Sequence, residues 1–308
     1  MLLTLLQFNS FLIMIKYSII ICSYNRFELL SETIDSILSV LINRVDYEIL
    51  IIDNKSTDPT PSLEEKFNTN KNVKYFLETK QGLSHARNRG MIEATGEILV
   101  YLDDDVELIN NYFEVADNTL TDKSISIFGG KVLPFKTEIP KWLPTKYFYL
   151  VSIFDLGNNV QIVDNLMGAN YAMKKEIAKE VGFYNTELGR KGDNLMGGEE
   201  NDYFDRAKKI GCKIIYNPEL IVLHKINSKL NKKYVLDYSY LNGKSSGVIQ
   251  KKSNVIKYIL KIFKSLIMIF TYYLFGFYQK NEKRKTLYQI NKLYSFGYLS
   301  SFRVFFHN

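Results

Sequence analysis

Four short, β-branched apolar runs within the first 105 residues, separated by helical spacing and polar turns, constrain this chain more than any other feature. Residues 16–22 lead into Ser23-Tyr24-Asn25-Arg26 and then into Leu29, Leu30, Ile34, Ile37, Leu38 and Leu41, the pattern of strand, turn and amphipathic helix. Residues 47–52 form a second run ending in Asp53, and 54–59 supply loop and cap chemistry before a polar helix to about Asn68. Residues 73–77 read as a third strand, 84–94 as a helix, and 97–102 as a fourth strand ending in three acids. This alternation predicts an α/β fold with a parallel sheet and helices on both faces. Ligands of such sheets bind beyond the carboxyl ends of the strands, which directs attention to 23–26, 53–58 and 103–105.

From 124 to about 222 the pattern loosens into short strands and loops, with Gly129-Gly130, the segment 140–144 around Trp142, and Gly168-Ala169-Asn170. Helices are predicted over 174–181 and 199–210, the latter stopped by Gly211. Two strands are predicted at 213–216 and 220–223, divided by Asn217-Pro218. No internal repeat or low-complexity linker appears.

The net charge of +7 is unevenly placed. Residues 251–308 carry eleven Lys or Arg against one acid, Glu282, while the first 250 residues carry 29 basic and 32 acidic side chains. A mildly acidic body excludes a general nucleic-acid binder, whose basic residues would spread over the binding face. The tail suits an anionic membrane surface instead. Its apolar stretch 256–278 is interrupted by Lys257, Lys261 and Lys264, leaving the 14 uncharged residues 265–278, fewer than the ~20 a spanning helix needs. Lysines at helical spacing opposite an apolar face predict a helix lying in the lipid interface, reinforced by Lys280, Lys283, Arg284 and Lys285.

Two distant cysteines, Cys22 and Cys212, indicate neither a disulfide framework nor a zinc site and fit a reducing cytoplasm. The N-terminal residues are apolar but lack a basic flank and a small-residue cleavage site, so the functional chain is expected to start near Met14.

The acidic triplet Asp103-Asp104-Asp105 carries the most chemistry. Adjacent carboxylates at a strand end repel one another and call for a cation or strong donors nearby, a divalent metal being the economical answer. Hard oxygen ligands suit Mg²⁺ or Mn²⁺ shared with substrate phosphates, whereas an isolated triplet would be a solvated turn. The segments 19–26, 51–58, 82–88 and the triplet follow one another in the order and spacing seen in family 2 glycosyltransferases, which the chain resembles over roughly residues 15–225.

That resemblance implies a GT-A fold over 15–228, a Rossmann-like mixed sheet, mainly parallel and flanked by helices, with a nucleotide-binding half at 15–122 and an acceptor half at 123–228, followed by a helical, basic and aromatic extension at 229–308 that associates with a membrane. It implies an inverting transfer from a nucleotide diphosphate sugar, a UDP-sugar first among the candidates, to a glycan or lipid-linked glycan in cell-surface polysaccharide synthesis, on the cytoplasmic face of a bacterial cell membrane. By the same resemblance Cys22 and Tyr24 border the base, Asp53 accepts a hydrogen bond from it, and Asp103 and Asp104 face ribose and diphosphate. Asp105, with Asp103 and His224, would hold the metal. Arg87 either steadies the diphosphate or serves as a structural ion-pair partner. Glu200, or its neighbour Glu199, resembles the family's general base, needed because a hydroxyl is a poor nucleophile. Asn170 and the aromatics Trp142, Tyr147, Phe148 and Tyr149 are acceptor-side candidates, with core packing as the alternative for the aromatics. A nucleotidyltransferase would require a glycine-rich loop where Ser23-Tyr24-Asn25-Arg26 stands. A membrane-anchored, non-catalytic sugar or nucleotide binder stays open as a second reading.

Overall fold

The computed structural model describes residues 14–192 and 197–302, without the side chains of 252 and 253. The expected start near Met14 rests on residues 1–13, which lie outside the described residues. Strands β1 (Tyr17–Ser23), β2 (Tyr47–Asp53), β3 (Val73–Leu77) and β4 (Ile98–Leu102) form a parallel sheet in the order β3-β2-β1-β4. The apolar runs are continuous because helices cover both faces. On one side Ile19, Ile21, Ile49 and Val100 pack against Leu30, Ile34 and Ile37 of α1 (Phe27–Val40). On the other, Ile20, Leu50 and Leu99 meet Ala86 and Met91 of α3 (Leu83–Glu93). The polar helix expected before Asn68 is shorter: a 3₁₀ turn at Thr60–Ser62 followed by α2 (Leu63–Lys66).

Past β4 the chain adds β5 (Val106–Leu108), α4 (Tyr112–Thr119), β6 (Ile127–Pro134), β7 (Gln161–Ile162), β8 (Asn170–Lys174), α5 (Lys175–Val181), α6 (Glu199–Lys209) and β9 (Ile214–His224). β8 runs antiparallel between β4 and β6, and β6 runs parallel to β9, giving the path β3-β2-β1-β4-β8-β6-β9-β5, with β7 on β9. The mixed sheet agrees with expectation, with the parallel ladders concentrated in the first four strands. The two strands anticipated around Asn217-Pro218 are one: the register of β9 against β6 shifts between Gly129 and Lys131, and this irregularity accommodates the Asn-Pro pair.

The C-terminal segment folds as α7 (Lys232–Ser253), α8 (Val255–Thr271), a π-helical turn at Tyr272–Gly276, and α9 (Glu282–Ser300). Asn231, Asn254 and Asn281 cap the three helices, accepting the backbone N–H of Tyr234, Lys257 and Arg284 at 2.8, 2.8 and 3.0 Å. A third core joins Tyr147, Leu150 and Val151 of the 3₁₀ segment Thr145–Val151 to Val235 of α7 and Ile290 of α9. The division at 228 therefore separates residues that pack together.

With the π turn, Val255–Gly276 is 22 residues, long and apolar enough to cross a membrane by length and composition, where the sequence suggested a shorter run. The expected opposition of a lysine face to an apolar face is also modified. Opposite the exposed stripe lie Tyr258, Ser265 and Tyr272, buried against neighbouring helices. Lys261 turns inward to donate to the Tyr294 hydroxyl at 2.8 Å, leaving Lys257 and Lys264 at the border of the stripe.

α7 and α9 meet backbone to backbone. A Cβ on Gly243 would lie 2.0 Å from the Tyr294 carbonyl oxygen, and one on Gly297 1.9 Å from that of Tyr240. Gly243→Ala or Gly297→Ala should destabilise this layer by about 1–3 kcal/mol, the usual cost of overpacking, measured by urea unfolding and by faster proteolysis within 232–300.

Candidate active site

Because β1, β2 and β4 are parallel and in register, their carboxyl ends deliver Cys22–Arg26, Asp53-Asn54 and Asp103–Asp105 to one edge of the sheet. A cleft of about 710 Å³ opens there, lined among others by Tyr24, Arg26, Arg87, Asp103, Glu200 and Lys229. This is ample for a small-molecule ligand.

Asp104 and Asp105 are buried behind the exposed edge of Asp103. Ser23 Oγ donates to Asp104 at 2.6 Å, and Arg26 forks across the pair, reaching Asp104 at 2.5 Å and Asp105 at 2.7 Å. Burial pushes the Asp104 carboxyl up to about 6, with Arg26 opposing and Asp105 adding to the rise. For Asp105 burial acts in the same direction, yet the adjacent cations, Lys229 first and then Arg26, oppose it, and the carboxyl is held well below its usual range.

His224 closes β9 and is fully buried. Its Nδ1 faces the Ser152 carbonyl at 3.3 Å; the tautomer donating there leaves Nε2 an acceptor, 2.7 Å from Asp105 Oδ1 and 3.9 Å from an Asp103 oxygen. Asp105 Oδ1 is buried and receives no hydrogen bond among the described residues. An imidazole nitrogen and a buried carboxylate oxygen that lacks a hydrogen-bond partner, 2.7 Å apart, form a donor set that a divalent cation satisfies. The ligand atoms of Asp103, Asp105 and His224 lie within 4.8 Å of one another. Lys229, which sequence reasoning did not single out, approaches the same atoms, its Nζ 3.1 Å from His224 Nε2 and 3.8 Å from Asp105.

The second centre is a carboxylate pair at the start of α6, where Gly198 takes φ +111° and both acids fall in the first turn. Arg87, buried in α3, binds both, donating to Glu199 at 2.9 Å and to Glu200 at 2.8 Å. The ion-pair alternative for Arg87 is thus realised at the cleft wall. Glu199 is buried, whereas the Glu200 side chain is 21% exposed and lines the cleft. Burial, reinforced by Glu200 and opposed by Arg87, pushes Glu199 up to about 8. Arg87 overcomes the effect of burial at Glu200 and holds it below its usual range. The opposite directions make Glu199 the acid that holds a proton more tightly and Glu200 the more readily ionised one. Gly168 makes room for it: a Cβ there would lie 2.1 Å from Glu200 Oε1.

The remaining candidates separate clearly. Cys22 and Tyr24 line the cleft, and burial pushes the Cys22 thiol up to about 12. Asp53 lies behind the wall, fully buried, accepting from the Ser56 N–H at 2.9 Å and the Tyr75 hydroxyl at 2.5 Å, while Asn54 takes the wall position. These two bonds fix the loop that carries Asn54. Asn170 is likewise internal, accepting from Tyr112 at 2.7 Å and donating to the carbonyls of Lys131 and Leu220 at 2.9 Å. Among the four aromatics, Tyr149 reaches the cleft, whereas Trp142, Tyr147 and Phe148 pack in the third core. Arg190, Tyr234, Tyr238 and Asn242 also line the cleft. The last three sit four residues apart in a segment that sequence reasoning treated as an appendage, and that spacing was their available signal.

The raised Glu199 carboxyl gives a signed pH dependence. The folded state retains a proton that the unfolded chain loses above its usual value of 4.5, so this group's stabilisation is full below that value and declines up to about 8. Glu199→Gln, which mimics the protonated form, should lose less stability than the wild type between pH 5 and 9. The difference in melting temperature, on the order of a few degrees, is checked by thermal unfolding across that range.

Residues 18–182, more than half of the chain, match Glycosyl transferase family 2. The glucosyl-dolichyl phosphate glucuronosyltransferase of Haloferax volcanii is 26% identical over 218 residues, 68% of this chain and 69% of that protein. The GalNAc(5)-diNAcBac-PP-undecaprenol beta-1,3-glucosyltransferase of Campylobacter jejuni is 31% identical over 192 residues, 55% of this chain and 62% of that one. Among solved structures, the mannosyltransferase PcManGT from Pyrobaculum calidifontis, in complex with GDP-Man and Mn²⁺, has a TM-score of 0.62 at 15% identity and covers 94% of this chain and 87% of its own. GalNAc-T7 with UDP, GalNAc and Mn²⁺ has a TM-score of 0.53 at 21% identity, covering 76% of this chain and 51% of its own. These likenesses establish the fold, and with the family match they lead to one conclusion: the chain belongs to glycosyl transferase family 2 and is a glycosyltransferase with the GT-A fold.

Proposed function

We propose that this glycosyltransferase moves a sugar from a nucleotide diphosphate sugar, a UDP-sugar first among the candidates, to a hydroxyl of a lipid-linked glycan during cell-surface polysaccharide synthesis, with inversion at the anomeric carbon. The observation that carries this is one cleft holding both a metal-ligand triad and a carboxylate pair gripped by the buried Arg87. Two relatives are named for dolichyl phosphate-linked or undecaprenol-linked substrates, which supports a lipid-linked acceptor.

In this reading Cys22 and Tyr24 border the base, and Asp53 acts indirectly by fixing the loop that carries Asn54. Asp103 and Asp104 face ribose and diphosphate. Mn²⁺ or Mg²⁺, held by Asp103, Asp105 and His224, would supply charge stabilisation to the departing diphosphate. Arg26 and Lys229 add positive charge beside the same atoms. Arg87 keeps Glu200 ionised and oriented, and Glu200 takes the acceptor proton as its oxygen attacks the anomeric carbon. Glu199, which holds its proton more tightly, spares the pair a second negative charge.

The partner on the outside is an anionic bilayer, met by α8. Ile256, Leu260, Phe263, Ile267, Phe270 and Leu274 are each 50–74% exposed in one stripe, with Lys257 and Lys264 beside it and the basic turn 280–285 at its end. That composition fits a helix embedded at headgroup level. A span is disfavoured because the inner side of α8 packs on α9, whose Lys283, Arg284, Lys285, Asn291 and Lys292 would enter hydrocarbon with it. The enzyme would sit peripherally on the cytoplasmic face.

Two experiments test these statements. Purified protein with UDP-, dTDP- and GDP-sugars should release nucleoside diphosphate from one donor, with loss under EDTA and in Asp105→Ala. With a glycan acceptor, Glu200→Gln should slow transfer by about 10²–10⁴ with nucleotide binding intact. A retained anomeric configuration by NMR rejects the mechanism, and nucleotide binding without any turnover favours the non-catalytic binder. In vesicle flotation, the wild type should float with phosphatidylglycerol-containing liposomes and Phe263→Glu/Phe270→Glu should stay at the bottom. Protease resistance of the 280–285 turn from inside sealed vesicles would instead establish a span.

A further inference from the structure

Tyr234, Tyr238 and Asn242 recur every four residues on α7, so they share one ridge, and all three line the cleft. They lie beyond residues 18–182, so the family match assigns them nothing. The two tyrosine rings are stacked, with centroids 5.9 Å apart and planes 23° from parallel. Tyr149, 42% exposed at the end of its 3₁₀ segment, adds a third aromatic side chain to the same cleft.

The ridge is fixed relative to the carboxylate pair. The turn that launches α6 rests directly on α7: a Cβ on Gly198 would lie 2.6 Å from Ile249 Cδ1. From behind, α9 closes on the backbone of α7 at Gly243. Arg87 and Gly168 set the position of Glu200 from the other side. A rigid aromatic ridge with an amide one turn further on therefore stands in the cleft that holds the proposed base.

Sugars carry an apolar C–H face and a rim of hydroxyls, and this wall offers the complement of both. A bare lipid phosphate has no such face, and its anionic oxygen has no proton for Glu200 to take. We infer that the ridge of Tyr234, Tyr238 and Asn242, with Tyr149, is the acceptor subsite, and that the acceptor ends in a saccharide rather than a bare lipid phosphate. The inference rests on the glycosyl-transfer reading above and names the substrate class of that site.

The test uses the full chain with Mn²⁺ and UDP, dTDP or GDP in turn, and saturation-transfer NMR on methyl glycosides of glucose, galactose, N-acetylglucosamine and N-acetylgalactosamine, with citronellyl phosphate as the lipid-phosphate probe. Ring protons of at least one glycoside should saturate. Tyr238→Ala should weaken that binding about tenfold, the size of one aromatic contact, while Tyr238→Phe retains it and nucleotide affinity is unchanged. Citronellyl phosphate binding equally to wild type and Tyr238→Ala, with every glycoside silent, overturns the inference, as does a Tyr238→Ala defect in nucleotide rather than glycoside binding. A wild type that binds a glycoside at the ridge but no nucleotide diphosphate keeps the subsite and overturns the transfer reading.

Discussion

The buried guanidinium of Arg87 is the interaction on which the acceptor side of this cleft depends. It issues from α3, packed on the parallel sheet, and grips the first turn of α6, more than 110 residues away, through two carboxylates. Burying a cation is costly unless its partners are close and well directed, and removing one partner of such a set leaves an uncompensated charge. The fork thus does more than join two helices. Against the opposing effect of burial, it lowers the proton affinity of both acids, and Glu200, the shallower one, ends below its usual range while the deeper Glu199 stays above it. Glycine at 168 is part of the same arrangement, because any side chain there would occupy the space of the Glu200 carboxylate.

Charge is balanced differently at the end of β4. Three acids would repel one another, and the fold meets this with Arg26 from the β1 turn and Lys229 from the 3₁₀ turn after β9. These cations neutralise two faces of Asp105 and leave a third, toward His224, without a hydrogen-bond donor among the described residues. The protein supplies enough positive charge to fold the site, yet it leaves one direction in which a doubly charged ion is the fitting partner.

Much of this was legible in the sequence, because the parallel strands announce themselves as β-branched runs and their polar ends must converge. Asp103, Asp105, His224 and Glu200 could be placed from that logic together with the family resemblance. Residues whose role depends on what packs behind them were not legible. Asp53 and Asn170 are polar at strand ends, like true ligands, yet their hydrogen bonds are taken internally. Trp142 and Tyr147 share the composition of a sugar platform but meet α7 and α9 instead. Conversely, Tyr234 and Tyr238 lay in a segment whose net charge and aromatic content drew attention to its outer surface, and only tertiary packing turns their ridge inward.

The stacking of α8 on α9 and of α9 on α7 has a geometrical result. α7 also touches α8 directly, so the three helices form one layer that carries the exposed apolar stripe on α8 and the Tyr234, Tyr238 and Asn242 ridge of the cleft on α7. A change in the packing of that layer would therefore move the outer surface and the cleft wall together.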